Sequence, residues 1–589
     1  MAVRKGARGK GAYSFVIRRH GFSLLLAILV AVLYLPTLSQ HVLRTFDPFT
    51  FNDDARILIW PFFRDADPGL FPGDPFITYF LGGLPEGYRA LYHVLGRLGL
   101  AERGSEVIPY LLLCVTFVCI LSTAKRLGGL RGAWISAVLL LGGVSVMDRL
   151  GGGLPRAFAF PIVAAGAYAL VSGKARTLAF LAVLGAMFYP VVAALLGLSL
   201  FFLLVLPSQL RGTAEVTPRK HRALLLALTF VCIAALLLPT MLRMKPYGAT
   251  ITPSMLVDYP EAGPGGRLGP EQQAPFPPVY KSAGFHAKQA LLGQGALFLG
   301  GYGQPLRSTE TRINCLVGGV LLAALLTFAA KSIRMRRLPP EAIRLSALLL
   351  AMVVGYILAA WVTPTLFLPE RYTQYTAPIL AILAVAMGFG SFPRVAGESS
   401  LLLPHRSSQF INAVSWLISV IVLVLLGGRG TAWTGIEVFV PPEERQLYAE
   451  LERLPKDVLI AGWPVGPIEN VPYLSKRRVL TNYQLEMPFH RKFTEATRKR
   501  LKGLFAAYFA TNDESLRQLH TEFYVTHLVV DPALFSDPMP TYYRPFDVEV
   551  WQRYLAARAQ PKLLEVAMDP TFGRKIGRFY LVDLTAFTH

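Results

Sequence analysis

Apolar runs long enough to cross a bilayer recur along the first 428 residues, and they restrict this chain more than any other feature. They fall near 22–38, 107–124, 132–148, 157–172, 177–190, 191–207, 223–241, 313–330, 345–363, 375–391 and 409–427, eleven in all. Backbone inside a bilayer must satisfy its own hydrogen bonds, so runs of this length imply helices. Of the 589 residues 53% are hydrophobic and 16% charged, a composition that excludes disorder and a single soluble domain.

The net charge of +22 could suggest nucleic-acid binding, so its placement matters. Residues 1–21 carry Arg4, Lys5, Arg8, Lys10, Arg18 and Arg19 before the first run. This resembles the basic region of a signal peptide, but the run is long and lacks a small-residue cleavage site, so it reads as a retained helix. With eleven spans, the basic clusters at 125–131, 174–176, 211–222, 331–344 and 394–406 all fall on the same side as the N-terminus. That side then holds 22 Lys and Arg against three acids, Glu215, Glu341 and Glu398. This is the positive-inside pattern, and it accounts for nearly all of the charge without nucleic acid. Fusing 177–190 and 191–207 across Tyr189-Pro190 would put the 331–337 cluster on the wrong side.

The expected architecture is therefore a polytopic α-helical membrane protein of about eleven transmembrane helices. The N-terminus is cytoplasmic and the C-terminus lies outside, as in a bacterial inner membrane. Long outer loops cover 39–106 and 242–312, and a further outer segment covers 428–589. That last segment reads as a soluble, periplasmic α/β domain. Apolar runs at 457–462, 478–481, 526–531 and 578–583 are the expected strands, and 494–509 and 513–523 the expected helices, which suggests a mostly parallel sheet. Cys114, Cys119, Cys232 and Cys315 all lie in or at spans, so neither a disulfide framework nor a zinc set is expected.

Chemistry is concentrated on the outer side. Phe51-Asn-Asp-Asp-Ala-Arg56 places two adjacent carboxylates about a dozen residues past the first span. Asp53 or Asp54 could serve as a general base or, with Asp74, help to hold a divalent cation. A helix cap is the structural alternative. Asp148, Arg149 and Arg156 flank Gly151-Gly-Gly-Leu-Pro155, where a glycine turn could admit a phosphate or simply make a tight hairpin. Arg267 follows a similar glycine turn. Tyr189 could line a cavity or anchor at the interface. His93, His286 and His490 read as surface or satisfied histidines.

A paired acidic motif in the first outer loop of a many-span chain resembles the GT-C glycosyltransferases, which include oligosaccharyltransferases, protein O-mannosyltransferases and aminoarabinose transferases. Leu70-Phe-Pro-Gly-Asp-Pro-Phe-Ile-Thr-Tyr-Phe80, Pro260-Glu-Ala-Gly-Pro-Gly-Gly-Arg267, Leu368-Pro-Glu-Arg-Tyr372 and Asn470-Val-Pro-Tyr-Leu-Ser-Lys-Arg-Arg-Val-Leu480 are similar to stretches of uncharacterised bacterial members. The resemblance implies transfer of a sugar from a polyprenyl-phosphate carrier to a glycan, lipid or protein acceptor at the outer face. It maps the family's acidic residue onto Asp53 or Asp54. It assigns the lipid phosphate to Arg371 and Tyr372, with Arg56, Arg149, Arg156, Arg267 and Tyr189 as further candidates. Magnesium or manganese is the cation expected if one is used, because the loop offers carboxylates. Two other readings compete: a flippase for a lipid-linked precursor, and a non-catalytic scaffold with a binding outer domain. A flippase would favour charges at mid-span, and the charges here cluster at span ends.

Overall fold

The computed structural model describes residues 38–142, 144–207, 218–268, 276–292, 338–362, 368–391, 435–536, 538–558 and 560–588, together with Val32, Leu35 and Pro36. The expected spans at 313–330 and 409–427, and most of 22–38, lie outside the described residues. The remainder is mostly helical. Among the described helices, four are long and apolar enough to cross a membrane: Ala101–Leu141, Lys220–Tyr247, Pro340–Trp361 and Glu370–Gly390. Ala159–Val171, Ala175–Phe188 and Pro190–Val205 are shorter apolar helices.

The first of these is a hairpin rather than a rod. Gly129 leaves the helical region at φ 67° and ψ −159°. A Cβ added to Gly132 would lie 3.0 Å from the Ala124 carbonyl oxygen. In a straight helix residues eight apart are separated by about 12 Å along the axis, so the chain must double back here. The two halves thus correspond to the separate runs at 107–124 and 132–148. Tyr189, extended at φ −152°, likewise separates the two helices at Tyr189-Pro190.

Close packing depends on small residues. A Cβ on Gly390 would fall 2.3 Å from the Gly128 Cα, so the hairpin and Glu370–Ser391 touch backbone to backbone. Such contacts replace the hydrophobic driving force that lipid cannot supply. Arg344 is buried and donates to the carbonyls of Leu170 (3.1 Å) and Val171 (2.6 Å). It caps the C-terminal end of Ala159–Val171, where helical carbonyls have no partner of their own.

The 39–106 segment, expected as an outer loop, is a packed layer rather than a tether. Trp60, Phe62, Phe71, Tyr88 and Tyr92 are fully buried in it. Its strand β1 (Thr50–Phe51) pairs antiparallel with β2 (Val438–Phe439), in the register Thr50 to Phe439 and Phe51 to Val438. The C-terminal segment follows. Its five-stranded sheet has the order β4-β3-β5-β7-β6, from β3 (Leu459–Gly462), β4 (Arg478–Val479), β5 (His527–Val530), β6 (Gly573–Ile576) and β7 (Phe579–Asp583). Only β3–β4 and β3–β5 are parallel, whereas β5–β7 and β6–β7 are antiparallel. The expectation of a mostly parallel sheet is therefore corrected to a mixed one. β6 has no apolar run to announce it, and it joins β7 through a tight turn at Gly577 (φ 57°), which enforces antiparallel pairing.

Beneath this sheet Glu486 is enclosed by hydroxyl donors from Tyr542, Tyr543 (2.7 Å) and Thr481 (2.9 Å). Burial pushes its carboxyl up to about 7 from an ordinary 4.5, and the hydroxyls pull the other way. In the unfolded chain the acid ionises near its ordinary value. The stability of the protonated acid is complete below that value and is lost as pH rises through about 7, at most about 3 kcal/mol. Glu486→Gln should therefore flatten the loss of thermal stability between pH 5 and 8. Melting curves that fall in parallel for both proteins would disprove this.

Candidate active site

Three segments distant in sequence converge outside the apolar helices: 50–56, the 148–156 turn and 435–437. Asn52 is buried at their centre, and an amide suits the place because it donates and accepts at once. Its Nδ2 donates to the Gly435 carbonyl (3.0 Å) and to Glu437 Oε2 (3.3 Å). Its Oδ1 accepts from the Asp54 amide (3.2 Å) and from Arg156 (3.4 Å).

The glycine turn is shaped by this meeting. A Cβ on Gly151 would lie 2.5 Å from the Gly435 carbonyl oxygen, and one on Gly152 2.9 Å from the Asn52 Cβ. Gly152 also holds φ at +75°. The glycines thus admit protein backbone and the Asn52 side chain.

Asp54 is the N-cap of the short helix Ala55–Leu58, yet its side chain makes no capping bond. It pairs with Arg156 instead. Asp53 pairs with Arg56 and accepts from Gln484 Nε2 (3.4 Å). Both carboxylates are about a third exposed, at 35% for Asp53 and 33% for Asp54, whereas Arg56 is 9% and Arg156 15% exposed. The acids therefore face open space and their counter-charges sit behind them. Burial lowers the Arg156 pKa and the charge of Arg371 acts in the same direction, against Tyr375, Glu437 and Tyr189. Arg156 thus contacts Asp54 and lies within electrostatic range of Arg371. Arg371 donates to Gln374 (2.7 Å), and Tyr375, one helical turn further on, lies with its ring 5.4 Å from that of Tyr189.

The sequence candidates divide accordingly. Asp53 with Arg56 and Asp54 with Arg156 form two pairs joined through Asn52 and Glu437, and Arg371 and Tyr189 lie within electrostatic range of Arg156. Arg56, a phosphate candidate, is directed to Asp53, Asn470 (2.8 Å) and Glu469 (3.6 Å). Arg267 stacks 3.8 Å over the Tyr483 ring and donates to the Tyr483 carbonyl (2.6 Å) and to Gln484 (3.3 Å), reaching Asp53 only through Gln484. Arg149 pairs with its neighbour Asp148 (3.4 Å). Tyr372 is buried against Gly355 of the adjacent helix. Asp74 caps its own helix by accepting from the Phe76 amide (2.8 Å), and burial raises its carboxyl to about 6. Asn52, Glu437, Gln484 and Tyr375 were missed. Only Asn52, adjacent to the acid pair, carried a local signal.

A cation would need several carboxylates converging on one point. Among the described residues no three His, Cys, Asp or Glu side chains form such a set. Asp53 and Asp54 each face an arginine instead. These residues do not fit a bound cation, and no step is assigned to one.

No family model and no curated protein matches the sequence. Similar solved structures include an oligosaccharyltransferase from Archaeoglobus fulgidus in complex with an inhibitory peptide and a dolichol-phosphate. It is 12% identical, with a TM-score of 0.47 over 95% of this chain and 74% of that one. ArnT from Cupriavidus metallidurans, bound to undecaprenyl phosphate, is 12% identical with a TM-score of 0.47 over 96% and 98%. The arabinofuranosyltransferase AftD from Mycobacteria is 16% identical with a TM-score of 0.44 over 86% of this chain, which spans 35% of that protein.

Proposed function

We propose that this chain is a GT-C-type membrane glycosyltransferase that moves a sugar from a polyprenyl-phosphate donor to a hydroxyl-bearing acceptor at the outer face of the cytoplasmic membrane. The observation that supports the reading is the pair of part-exposed carboxylates, Asp53 and Asp54, backed by Arg56 and Arg156, with Arg371 within electrostatic range of Arg156. A transferase of this kind needs a carboxylate to take the acceptor proton and fixed cations to receive the departing phosphate.

In the proposed reaction the Asp54 carboxylate takes the proton of the acceptor hydroxyl. The acceptor oxygen forms a bond to the sugar C1. The bond from C1 to the phosphate oxygen breaks with its electron pair, and polyprenyl phosphate leaves. Arg371 receives the lipid phosphate, and Arg156 shares its charge between that phosphate and Asp54. Asp53 stays paired with Arg56 and holds the loop to the C-terminal segment. In this reading the C-terminal segment serves as an outer domain that braces the acidic loop through Glu437, Glu469, Asn470 and Gln484.

The test uses full-length protein in lipid nanodiscs with a panel of polyprenyl-phosphate sugars and candidate acceptors. Mass spectrometry should detect acceptor-dependent release of polyprenyl phosphate, and Arg371→Ala should reduce it. Folded protein that releases none from any donor would reject the transferase reading.

A further inference from the structure

We propose that Glu437 is a positioning residue that holds the acidic loop in its working shape, a role that rests on the transferase reading. One oxygen of its carboxylate, Oε2, accepts from two consecutive residues of the loop: the Asn52 side chain at 3.3 Å and the Asp53 backbone amide at 3.2 Å. Its own amide donates to the Phe51 carbonyl (3.2 Å), and the next two residues, Val438 and Phe439, pair with the strand that leads into the loop. The Val440 amide closes the other end on Phe49 at 2.9 Å. The loop is therefore zipped along its backbone up to Asn52 and clasped at Asp53 by a single carboxylate.

The charge pattern sets Glu437 apart from its neighbours. Asp53 and Asp54 are each in contact with an arginine, whereas among the described residues no arginine or lysine makes a close ion pair with Glu437, whose charge reaches Arg156 only at longer range. Its hydrogen-bond partners are neutral N–H groups, and bonds from such donors to an ionised carboxylate are stronger than neutral ones. The fixed Asn52 then presents Oδ1 to Arg156 and to the Asp54 amide. Displacing Asn52 would move both the base and its counter-charge, and a shift of about 1 Å can cost about 100-fold in rate.

The experiment compares Glu437→Ala and Glu437→Gln in full-length protein. Hydrogen exchange of the peptide covering 50–56 and turnover of a polyprenyl-phosphate sugar used by the wild type are the two readouts. The alanine variant should exchange that peptide about tenfold faster and lose about 100-fold in kcat, with KM for the donor within about twofold. Glutamine retains an accepting oxygen and should restore both to near wild type. Unchanged exchange in Glu437→Ala overturns the proposal, as does faster exchange with unchanged kcat. An equal loss in Glu437→Gln also overturns it, because charge rather than hydrogen bonding would then be at work. A wild type that turns over no donor overturns the transferase reading and this role with it. The exchange data tell that result apart from a failure of the clasp itself.

Discussion

Asp54→Asn should lower sugar transfer by about 10²- to 10⁴-fold, the range for losing a general base. The variant is informative because folding has reason to survive it. Arg156 keeps a hydrogen-bond acceptor in the asparagine oxygen, and Asn52 still accepts from the same guanidinium. Asp54 is also 33% exposed, so its pairing energy is screened by solvent. Asp53→Asn leaves Arg56 in contact with Asn470 and Glu469 and should also be inactive if its loop must be held. The double substitution should leave only background release of polyprenyl phosphate, with membrane insertion and melting temperature near wild type. Transfer that persists in the double variant would reject the general-base assignment.

Gly151→Val should be nearly as damaging, although the residue carries no chemistry. The atoms its side chain would meet are backbone: the Gly435 oxygen at 2.5 Å, Cα at 2.8 Å and carbonyl carbon at 3.0 Å from an added Cβ. Backbone cannot swing aside as a side chain can, so the 435–437 segment must move and take Glu437 with it. A loss of about 100-fold in turnover is expected from such a displacement. Gly73→Ala is the control. Gly73 has a positive φ of +66°, which Gly151 does not, so its substitution strains the backbone, but an added Cβ there meets nothing within 4 Å. It should cost about 1–2 kcal/mol of stability and leave turnover intact. Equal activity losses in the two variants would show that general destabilisation, not the packing of the 435–437 segment, explains the effect.

What could be read from the chain before its fold, and what could not, follows from range. Asp53 and Asp54 stand out because two acids side by side shortly after an apolar run are locally unusual. Arg156 and the glycines stand out in the same way. Their purpose was not legible, since a glycine turn beside an arginine suits a phosphate as well as a neighbouring backbone. Only the approach of Gly435, 284 positions further on, separates the two. Glu437 had no local signal: a single acid in a loop has no periodicity, and its partners lie 385 and 384 residues away in sequence. Arg267 illustrates the opposite case, where a suggestive motif proved to fasten the second outer loop to Tyr483 and Gln484. In the sheet, long apolar strands could be located, but β6 (Gly-Arg-Lys-Ile) is too polar to read as one.

The pairing of β1 with β2 also orders events during synthesis. The acid pair is synthesised before all but the first of the apolar runs, whereas β2 and Glu437 come only after every apolar run has been made. Until then Asn52 and the Asp53 amide lack the partners that define their positions. A nascent chain interrupted before residue 435 would hold the membrane segments and both carboxylates, yet no assembled site. Catalytic competence would then arrive last, so that a half-made enzyme in the membrane would not discharge its lipid-linked substrate.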